Sequence, residues 1–277
     1  MLRFSGKSVI ITGSSNGIGR STAVLFARDG AQVTITGRHA ERLEETRQQV
    51  LNAGAKAESV NAVVADLTDP VGQDEIVSTT LAKFGKIDIL VNNAGANITD
   101  GSSGTDQPID LYEKTLKLNL QSVIEMTVKC KKHLIESEGE IINVSSIVAG
   151  PQAQPTVPYY ACAKAALDQY TRCTAVDLIQ YGVRVNSVSP GVVVTGFINA
   201  MGMPDPMVKR VQQFWGSKRE CVPVGYCGQP EEIGHIIQFL ADRRLSSYII
   251  GQSIVADGGS TLVMGMQAHD FQTILTQ

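Results

Sequence analysis

The chain has 277 residues, 43% of them hydrophobic and 18% charged, and its formal net charge at pH 7 is −3. This composition is typical of a globular protein of one or two domains, and the slightly acidic balance argues against nucleic acid as a partner. No stretch approaches the roughly 18 uncharged apolar residues that a membrane-spanning helix needs.

The N-terminus and the cysteines indicate the cellular compartment and whether a metal site is expected. Residues 1–7 run directly into a strand-like segment and carry no apolar signal-peptide region. The five cysteines are scattered and form no C-x-x-C pair; they are Cys130, Cys162, Cys173, Cys221 and Cys227. We therefore expect a cytoplasmic protein without a disulfide framework and without a metal site.

Short apolar runs of strand length alternate with segments of helical spacing along the chain. The predicted strands are residues 8–12, 33–36, 61–65, 87–91, 140–144, 183–188 and 252–255. The predicted helices are residues 17–28, 40–52, 71–84, 108–135, 159–179 and 231–240. Strands that are apolar on both sides and alternate with helices predict a parallel sheet covered on both faces, hence a doubly wound α/β fold. Without a linker or an internal repeat, we expect one domain over residues 1–277.

Residues 196–228 break this alternation. The segment is rich in Met, Gly and Pro, and its large apolar side chains are Phe197, Met201, Met203, Phe214 and Trp215. Because ligands of doubly wound folds bind beyond the carboxyl ends of the strands, we predict a mobile apolar flap beside the ligand. Two interpretations stay open: its side chains contact a small to medium apolar substrate, or they pack against the sheet or a neighbouring subunit.

A glycine-rich loop joins the first strand to the first helix with the sequence T-G-S-S-N-G-I-G. Glycines allow a tight turn and close approach of backbone N–H groups to a phosphate, and the helix N-terminus then faces the phosphate with its positive end. The setting predicts a dinucleotide-binding loop whose contact residues are Gly13, Ser15, Asn16, Gly17, Ile18 and Gly19.

The same loop also matches the G-x-S-x-G pattern of serine hydrolases, with Ser15 as the nucleophile. Only one strand precedes the loop, whereas a nucleophile elbow needs a sheet already formed around it. The four histidines also lack an evident acidic partner; they are His39, His133, His235 and His269. The hydrolase is therefore a distant alternative.

The spacing of Gly13, Gly17 and Gly19 resembles the T-G-x-x-x-G-I-G motif of the short-chain dehydrogenases/reductases. Other marks of that family follow in family order, and several stretches look like its nematode members. These marks are Asp66-Leu67, Asn92-Asn93-Ala94-Gly95, Asn119, Ser145-Ser146, Tyr160 with Lys164, Pro190-Gly191, Thr195 and Asp257-Gly258-Gly259. The resemblance implies a single-domain Rossmann fold with a seven-stranded parallel sheet and a nicotinamide cofactor.

Tyr160 and Lys164 are four residues apart and therefore share one face of a helix. A free tyrosine has a pKa near 10, and an ammonium one turn away would favour the phenolate. In the family the tyrosine exchanges the proton at the carbonyl or alcohol oxygen, and the lysine also binds the nicotinamide ribose. Tyr159 has no lysine at the matching position, so we predict a packing or substrate-side role for it.

The serine that orients the substrate oxygen in the family commonly precedes the tyrosine by 13 residues. Ser146 precedes Tyr160 by 14 and Ser145 by 15, so the intervening loop carries one extra residue. Counting from the strand side favours Ser146 as the catalytic serine and Ser145 as a structural partner. The resemblance also implies that Asn119 holds a water that links the lysine to solvent.

The end of the second strand, Thr36-Gly37-Arg38, predicts the cofactor. Glycine stands where an acidic residue would bind the ribose of NAD(H), and Arg38 can pair with a 2′-phosphate, so NADP(H) is favoured over NAD(H). Arg38 as a solvated residue before the helix is the alternative. By resemblance, the further cofactor contacts are Asp66, Leu67, Asn93, Gly95, Tyr160, Lys164, Pro190, Gly191, Val193 and Thr195.

These residues predict an NADP(H)-dependent oxidoreductase acting on a carbonyl or secondary alcohol, with Asn119, Ser146, Tyr160 and Lys164 as its catalytic set. The alternative is a binding protein that uses NADP(H) as a sensor or scaffold without turnover. The family resemblance also implies a homo-oligomer, with a tetramer favoured through the two long helices. The apolar tail that begins at Thr261 is a further candidate for a subunit contact.

Overall fold

The computed structural model describes residues 2–264, so the part of the predicted tail contact beyond Met264 lies outside the described residues. The strands are β1 (Ser8–Ile11), β2 (Gln32–Gly37), β3 (Val60–Val64), β4 (Ile89–Asn92), β5 (Glu140–Val144), β6 (Arg184–Pro190) and β7 (Ser253–Ala256). The α-helices are α1 (Gly17–Arg28), α2 (Ala40–Asn52), α3 (Pro70–Phe84), α4 (Ile109–Leu116), α5 (Ser122–Glu136), α6 (Pro158–Leu178), α7 (Asp205–Ser217), α8 (Pro230–Ala241) and α9 (Arg243–Ser246).

The strands form one parallel sheet of seven, in the order β3-β2-β1-β4-β5-β6-β7. The order reverses between β1 and β4, which makes the carboxyl ends of these two strands the switch point where doubly wound folds bind ligands. The predicted seven-stranded, doubly wound Rossmann fold is confirmed.

Two buried cores lie on opposite faces of the sheet. One packs α1, α2 and α8 against it through residues such as Phe26, Val50 and Ile237. The other packs α3, α5 and α6 against it through residues such as Ile76, Cys130 and Leu178. Both faces of the central strands are covered, which is why these strands read as continuous apolar runs in the sequence.

Two predicted elements differ from the structure. The long helix expected over residues 108–135 is divided into α4 and α5 by a π-helical turn, Lys117–Gln121. The segment 196–228, predicted as a mobile apolar flap, contains α7. The apolar residues of this helix recur at helical spacing (Met207, Val208, Val211, Phe214 and Trp215), a period that the surrounding Met-, Gly- and Pro-rich composition obscures in the sequence. Within the described residues, no helix is long and apolar enough to cross a bilayer.

Candidate active site

The glycine loop after β1 is closed by backbone contacts that leave no room for side chains. A Cβ on Gly13 would lie 2.7 Å from the Cα of Ala94, and a Cβ on Gly19 would lie 2.4 Å from Nδ2 of Asn93. Gly13 and Gly17 also have φ angles of +63° and +53°, a region that glycine adopts without strain. The loop therefore requires glycine at the three motif positions.

The N-terminus of α1 is open to an anion. Asn16 stands at the N-cap but makes no side-chain cap hydrogen bond, and the first turn carries no acidic residue. The first-turn N–H groups, those of Gly17, Ile18 and Gly19 among them, point out of the helix, where its dipole also favours negative charge. A pyrophosphate fits this end of the helix in both geometry and charge.

Asn93 braces the loop from the end of β4. Its Nδ2 donates hydrogen bonds to the backbone oxygens of Thr12 (2.8 Å) and Gly13 (3.1 Å). The hydroxyl of Thr12 in turn accepts hydrogen bonds from the N–H groups of Asn93 (3.0 Å) and Ala94 (3.1 Å). Asn93 therefore acts on the cofactor site through the shape of the glycine loop.

The end of β2 presents a site for a charged group. A Cβ on Gly37 would lie 2.8 Å from both Cβ and Oγ of Ser15, so an acidic residue does not fit at this position. Nη1 of Arg38 lies 4.0 Å from Oδ2 of Asp66, and the two side chains are 65% and 42% exposed. The guanidinium is held weakly and remains available to a ligand.

Asp66 and Leu67, both expected beside the cofactor, differ in the exposure of their side chains. Asp66 is half exposed, and its Oδ1 accepts hydrogen bonds of 2.8 Å from the N–H and the hydroxyl of Thr68. The side chain of Leu67 is buried in the core with Ile76, and its carbonyl accepts a hydrogen bond from Gln73. The side chain of Leu67 thus packs into the core, and its expected contact with the cofactor stays a prediction.

The hydrolase alternative finds no support in the geometry around Ser15. Its hydroxyl packs against Gly37, and no histidine among residues 2–264 forms a hydrogen bond with it. His133 and His235 pair instead with exposed glutamates on their own helices.

The loop after β6 closes the other side of the glycine loop. A Cβ on Gly17 would lie 3.1 Å from Cγ2 of Thr195, so the two loops are in contact. Pro190 ends β6, and a Cβ on Gly191 would meet Asp257 at 2.6 Å. Val193 forms a short bridge with Gly228. The structure thus brings the expected contacts Gly191, Val193 and Thr195 to the same edge as the glycine loop.

Asp257 at the end of β7 has a structural setting, as the sequence suggested. Its carboxylate accepts hydrogen bonds from the N–H groups of Gly259 (2.9 Å) and Thr261 (2.7 Å) and so shapes the last turn.

Tyr160 and Lys164 lie together on α6, and both are buried. Nζ of Lys164 lies 5.6 Å from the centroid of the Tyr160 ring and donates a 2.8 Å hydrogen bond to the carbonyl of Val144. Burial lowers the pKa of Lys164 to about 8. A buried ammonium loses hydration that one carbonyl only partly replaces.

Burial raises the pKa of Tyr160, and a hydrogen bond with Ser146 opposes this rise. This differs from the expectation that Lys164 would be the group favouring the phenolate. The lysine is directed at Val144, so its charge is not paired with the phenol in this structure.

The two serines after β5 occupy different places. Ser146 is half-buried at the start of a short 3-10 turn, Ile147–Ala149, with its hydroxyl toward Tyr160. Ser145 is buried, and its hydroxyl donates a 3.4 Å hydrogen bond to the carbonyl of Lys164. The geometry therefore supports Ser146 as the serine that faces a substrate oxygen.

Asn119 lies in the π-helical turn and is fully buried. Its side chain donates to the carbonyls of Ala96 and Thr115, both at 2.9 Å, and accepts from the N–H of Ala96 at 3.1 Å. A Cβ on Gly95 would lie 2.7 Å from Oδ1 of Asn119 and 3.2 Å from Nζ of Lys164. Asn119, Gly95 and Lys164 thus meet at one point, and π turns often occur at functional sites.

The two adjacent tyrosines of α6 make different aromatic contacts. The hydroxyl of Tyr159 donates a 2.8 Å hydrogen bond to the carbonyl of Gln107, and its ring packs edge-on against Tyr112. Phe197, from the segment 196–228, has its ring centroid 5.4 Å from that of Tyr160. The phenol at position 159 is therefore engaged in packing, and one flap side chain lies over the site.

Sequence analysis did not identify two charged residues that support the site. Arg20 holds the glycine loop from α1, because its guanidinium donates to the carbonyl of Ser15 at 2.5 Å and to Thr46 and Glu45 at 2.9 Å. Asp168 lies one turn after Lys164 and accepts a 3.4 Å hydrogen bond from Ser187. Within residues 2–264, no cluster of three or more His, Cys, Asp or Glu side chains is placed to hold a metal ion.

Comparisons with known proteins agree with this architecture. A family model described as enoyl-(acyl carrier protein) reductase matches residues 13–261. The crystal structure of a short-chain dehydrogenase/reductase from Caenorhabditis elegans with cofactor is 68% identical, covers 97% of this chain and 100% of its own, and has a TM-score of 0.96. Glucose dehydrogenase of Caenorhabditis elegans in the apo form is 59% identical, covers 94% and 100% of the two chains, and has a TM-score of 0.82.

A curated relative extends the comparison to bacteria. The 3-oxoacyl-(acyl-carrier-protein) reductase of Thermotoga maritima is 33% identical over 93% of this chain and 99% of its own. The chain therefore belongs to the short-chain dehydrogenase/reductase family, whose members are oxidoreductases that use a nicotinamide cofactor.

Proposed function

We propose that the protein is an NADP(H)-dependent oxidoreductase that interconverts a carbonyl and a secondary alcohol. The observation that carries this proposal is the grouping of Ser146, Tyr160 and Lys164 at the carboxyl edge of the sheet, beside a glycine loop with an open helix N-terminus. A nicotinamide cofactor bound there supplies or accepts the hydride. The protein's own groups position the substrate and move the proton.

Each catalytic residue has a distinct role in this proposal. Tyr160 donates the proton to the carbonyl oxygen during reduction and removes it from the alcohol during oxidation. Ser146 donates a hydrogen bond to the same oxygen and holds it beside the phenol. Lys164 would favour the phenolate by its positive charge and would also hold the ribose of the nicotinamide half. Asn119 supports proton exchange between the lysine and solvent.

The cofactor contacts follow from the loops at this edge. Residues from Gly13 to Gly19 face the pyrophosphate, and Gly95, Gly191, Val193 and Thr195 border the nicotinamide half. Arg38 pairs with the 2′-phosphate of NADP(H), because Gly37 and Ser15 leave no room for the acid that would bind the ribose of NAD(H).

The segment 196–228 forms the substrate side of this single domain. Phe197 over Tyr160 supports an apolar substrate of small to medium size. The nematode glucose dehydrogenase, 59% identical to this chain, favours a second candidate, a sugar whose hydroxyl-bearing carbon is oxidised. Both substrate classes require the same proton transfer at Tyr160.

A homotetramer is the assembly we propose, and a cytoplasmic location remains our expectation. Val128 on α5 and Val176 on α6 are 65% and 75% exposed, and Lys131 and Asp177 join the same two helices at 3.5 Å. An apolar surface that spans two long helices suits a subunit contact. Light scattering after size-exclusion chromatography measures the assembly directly.

The decisive experiment measures NADPH and NADH oxidation with a panel of ketones, aldehydes and diketones, and NADP⁺ reduction with sugars including glucose. Tyr160→Phe is the test variant and Tyr159→Phe the matched control, since the neighbouring phenol bonds to Gln107. We expect turnover with NADPH that falls by at least about 100-fold in the first variant and stays near the parent rate in the second. Tight NADPH binding without turnover on any substrate would favour the sensor or scaffold.

A further inference from the structure

A carboxylate lies beneath the catalytic pair in a position that the proposed chemistry does not yet use. Asp168 is four residues after Lys164, so the two side chains leave the same face of α6. Asp168 is half-buried, and its Oδ1 accepts a 3.4 Å hydrogen bond from the hydroxyl of Ser187 on β6. It is held in place by the sheet as well as by its own helix.

Ser145 joins Asp168 to the catalytic lysine. The Ser145 hydroxyl donates a 3.4 Å hydrogen bond to the backbone carbonyl of Lys164. Burial raises the pKa of Asp168, and the Ser145 hydroxyl opposes this rise. The two serines after β5 therefore divide between two side chains of α6. Ser146 faces the phenol, and Ser145 faces the carboxylate.

Lys164 needs a compensating charge at this depth. Burial lowers its pKa to about 8, which leaves a substantial neutral fraction slightly above neutral pH, and the negative charge of Asp168 acts in the opposite direction. A neutral lysine would no longer favour the phenolate of Tyr160. The charge at position 168 therefore bears on the pH range over which the catalytic set is correctly ionised.

The charged and titratable groups around this pair are few in the part of the chain that the structure describes. On α6 itself, Tyr160 faces the lysine, and Arg172 lies one turn beyond Asp168. The elements packed against this stretch contribute only uncharged polar groups to it: Asn119 from the π turn, Ser145 after β5 and Ser187 from β6.

We propose that Asp168 is a positioning residue that keeps Lys164 in its ammonium form beneath Tyr160. It acts through the lysine and does not touch substrate. This role rests on the proposed oxidoreductase function, but the proposed electrostatic coupling involves only groups of this chain and can be measured in the free protein.

The test measures the pKa of Lys164 by following its 13Cε resonance from pH 6 to 11 in protein labelled with 13Cε-lysine and free of cofactor. The signal is assigned by its loss in Lys164→Arg. Asp168→Asn removes the charge but keeps an oxygen for Ser187, whereas Asp168→Glu keeps the charge. Asp177→Asn near the end of α6 is the matched control, because Asp177 is exposed and pairs with Lys131.

We expect Asp168→Asn to lower the pKa of Lys164 by about one unit, with Asp168→Glu and Asp177→Asn close to the parent value. With a substrate in hand, the alkaline limb of kcat/KM should move to lower pH by the same amount. An unchanged pKa in the Asn variant, or an equal fall in the Glu variant, would overturn the proposal. The titration needs neither cofactor nor turnover. If the protein reduced no carbonyl compound, that result would therefore refute the proposed function but not the proposed role of Asp168.

Discussion

The loops on the cofactor side of the sheet and the segment 196–228 lie at the same edge but are held in different ways. The glycine loop is tied down by Asn93, Thr12 and Arg20 through hydrogen bonds of 2.5 to 3.1 Å. In the segment 196–228, Met207 and Phe214 of α7 are more than half exposed. The loop beside the expected cofactor site is thus held by several hydrogen bonds, whereas the segment expected to meet the substrate presents large apolar side chains to solvent.

The largest effect should separate the two adjacent serines. Ser146→Ala should lower kcat/KM by about 100- to 1000-fold, the usual loss when one hydrogen-bond donor to a reacting oxygen is removed, while NADPH affinity stays constant. Ser145→Ala should keep more of the activity, because Ser145 contacts the backbone of Lys164. Steady-state kinetics with NADPH titration by fluorescence measures both, and equal losses would contradict the division of roles.

The next effect tests how tightly the glycine loop is packed. Gly19→Ala should destabilise the fold by about 1–3 kcal/mol, because the new Cβ would lie 2.4 Å from Nδ2 of Asn93. Gly228→Ala in the segment 196–228 is the matched control, since its Cβ would meet nothing closer than 3.7 Å. Urea unfolding measures the free energy of unfolding of both variants. Equal stabilities would show that the glycine loop is packed no more tightly than the segment 196–228.

A smaller effect concerns the choice of cofactor. Arg38→Gln should weaken NADPH binding by about tenfold through the loss of one charge-assisted contact, while NADH binding changes little. Arg47→Gln is the control, because Arg47 pairs with Glu44 within α2 at 2.7 Å. Fluorescence titration with NADPH and with NADH measures both affinities. Equal losses of NADPH and NADH affinity would show that Arg38 does not bind the 2′-phosphate.

The smallest effect is expected on the exposed face of α7, measured against its buried face. Val208→Ala should cost about 1–2 kcal/mol of unfolding free energy, because Val208 is only 4% exposed. Met207→Ser should change stability by less than about 0.5 kcal/mol, because Met207 is 55% exposed. Thermal unfolding of both variants tests whether α7 has one buried face. A large loss in Met207→Ser would indicate that another surface covers this residue.

Most of the fold could be predicted because its signals are local. The sequence analysis located all seven strands to within a few residues. The turn at Gly17 and Gly19 could be predicted from the spacing of the glycines between the first strand and the first helix. It missed α7, whose short helical period lies within a Met-, Gly- and Pro-rich segment, and the π turn around Asn119, which preserves the general appearance of one long helix. In the structure, the side chain of Asn119 in this turn bonds to the backbone of Ala96, a contact that the local sequence does not show.

The residues of the candidate site also fall into two groups, those predictable from local sequence and those placed only by tertiary contacts. The sequence alone determined that Tyr160 and Lys164 share a helix face, that the loop after β1 needs glycine, and that no acid ends β2, because these properties depend on residues a few positions apart. Tertiary structure decided which serine faces Tyr160, where Arg38 meets Asp66, and that Asp168 lies under the lysine against Ser187. Those contacts join residues that only the register of the parallel strands brings together.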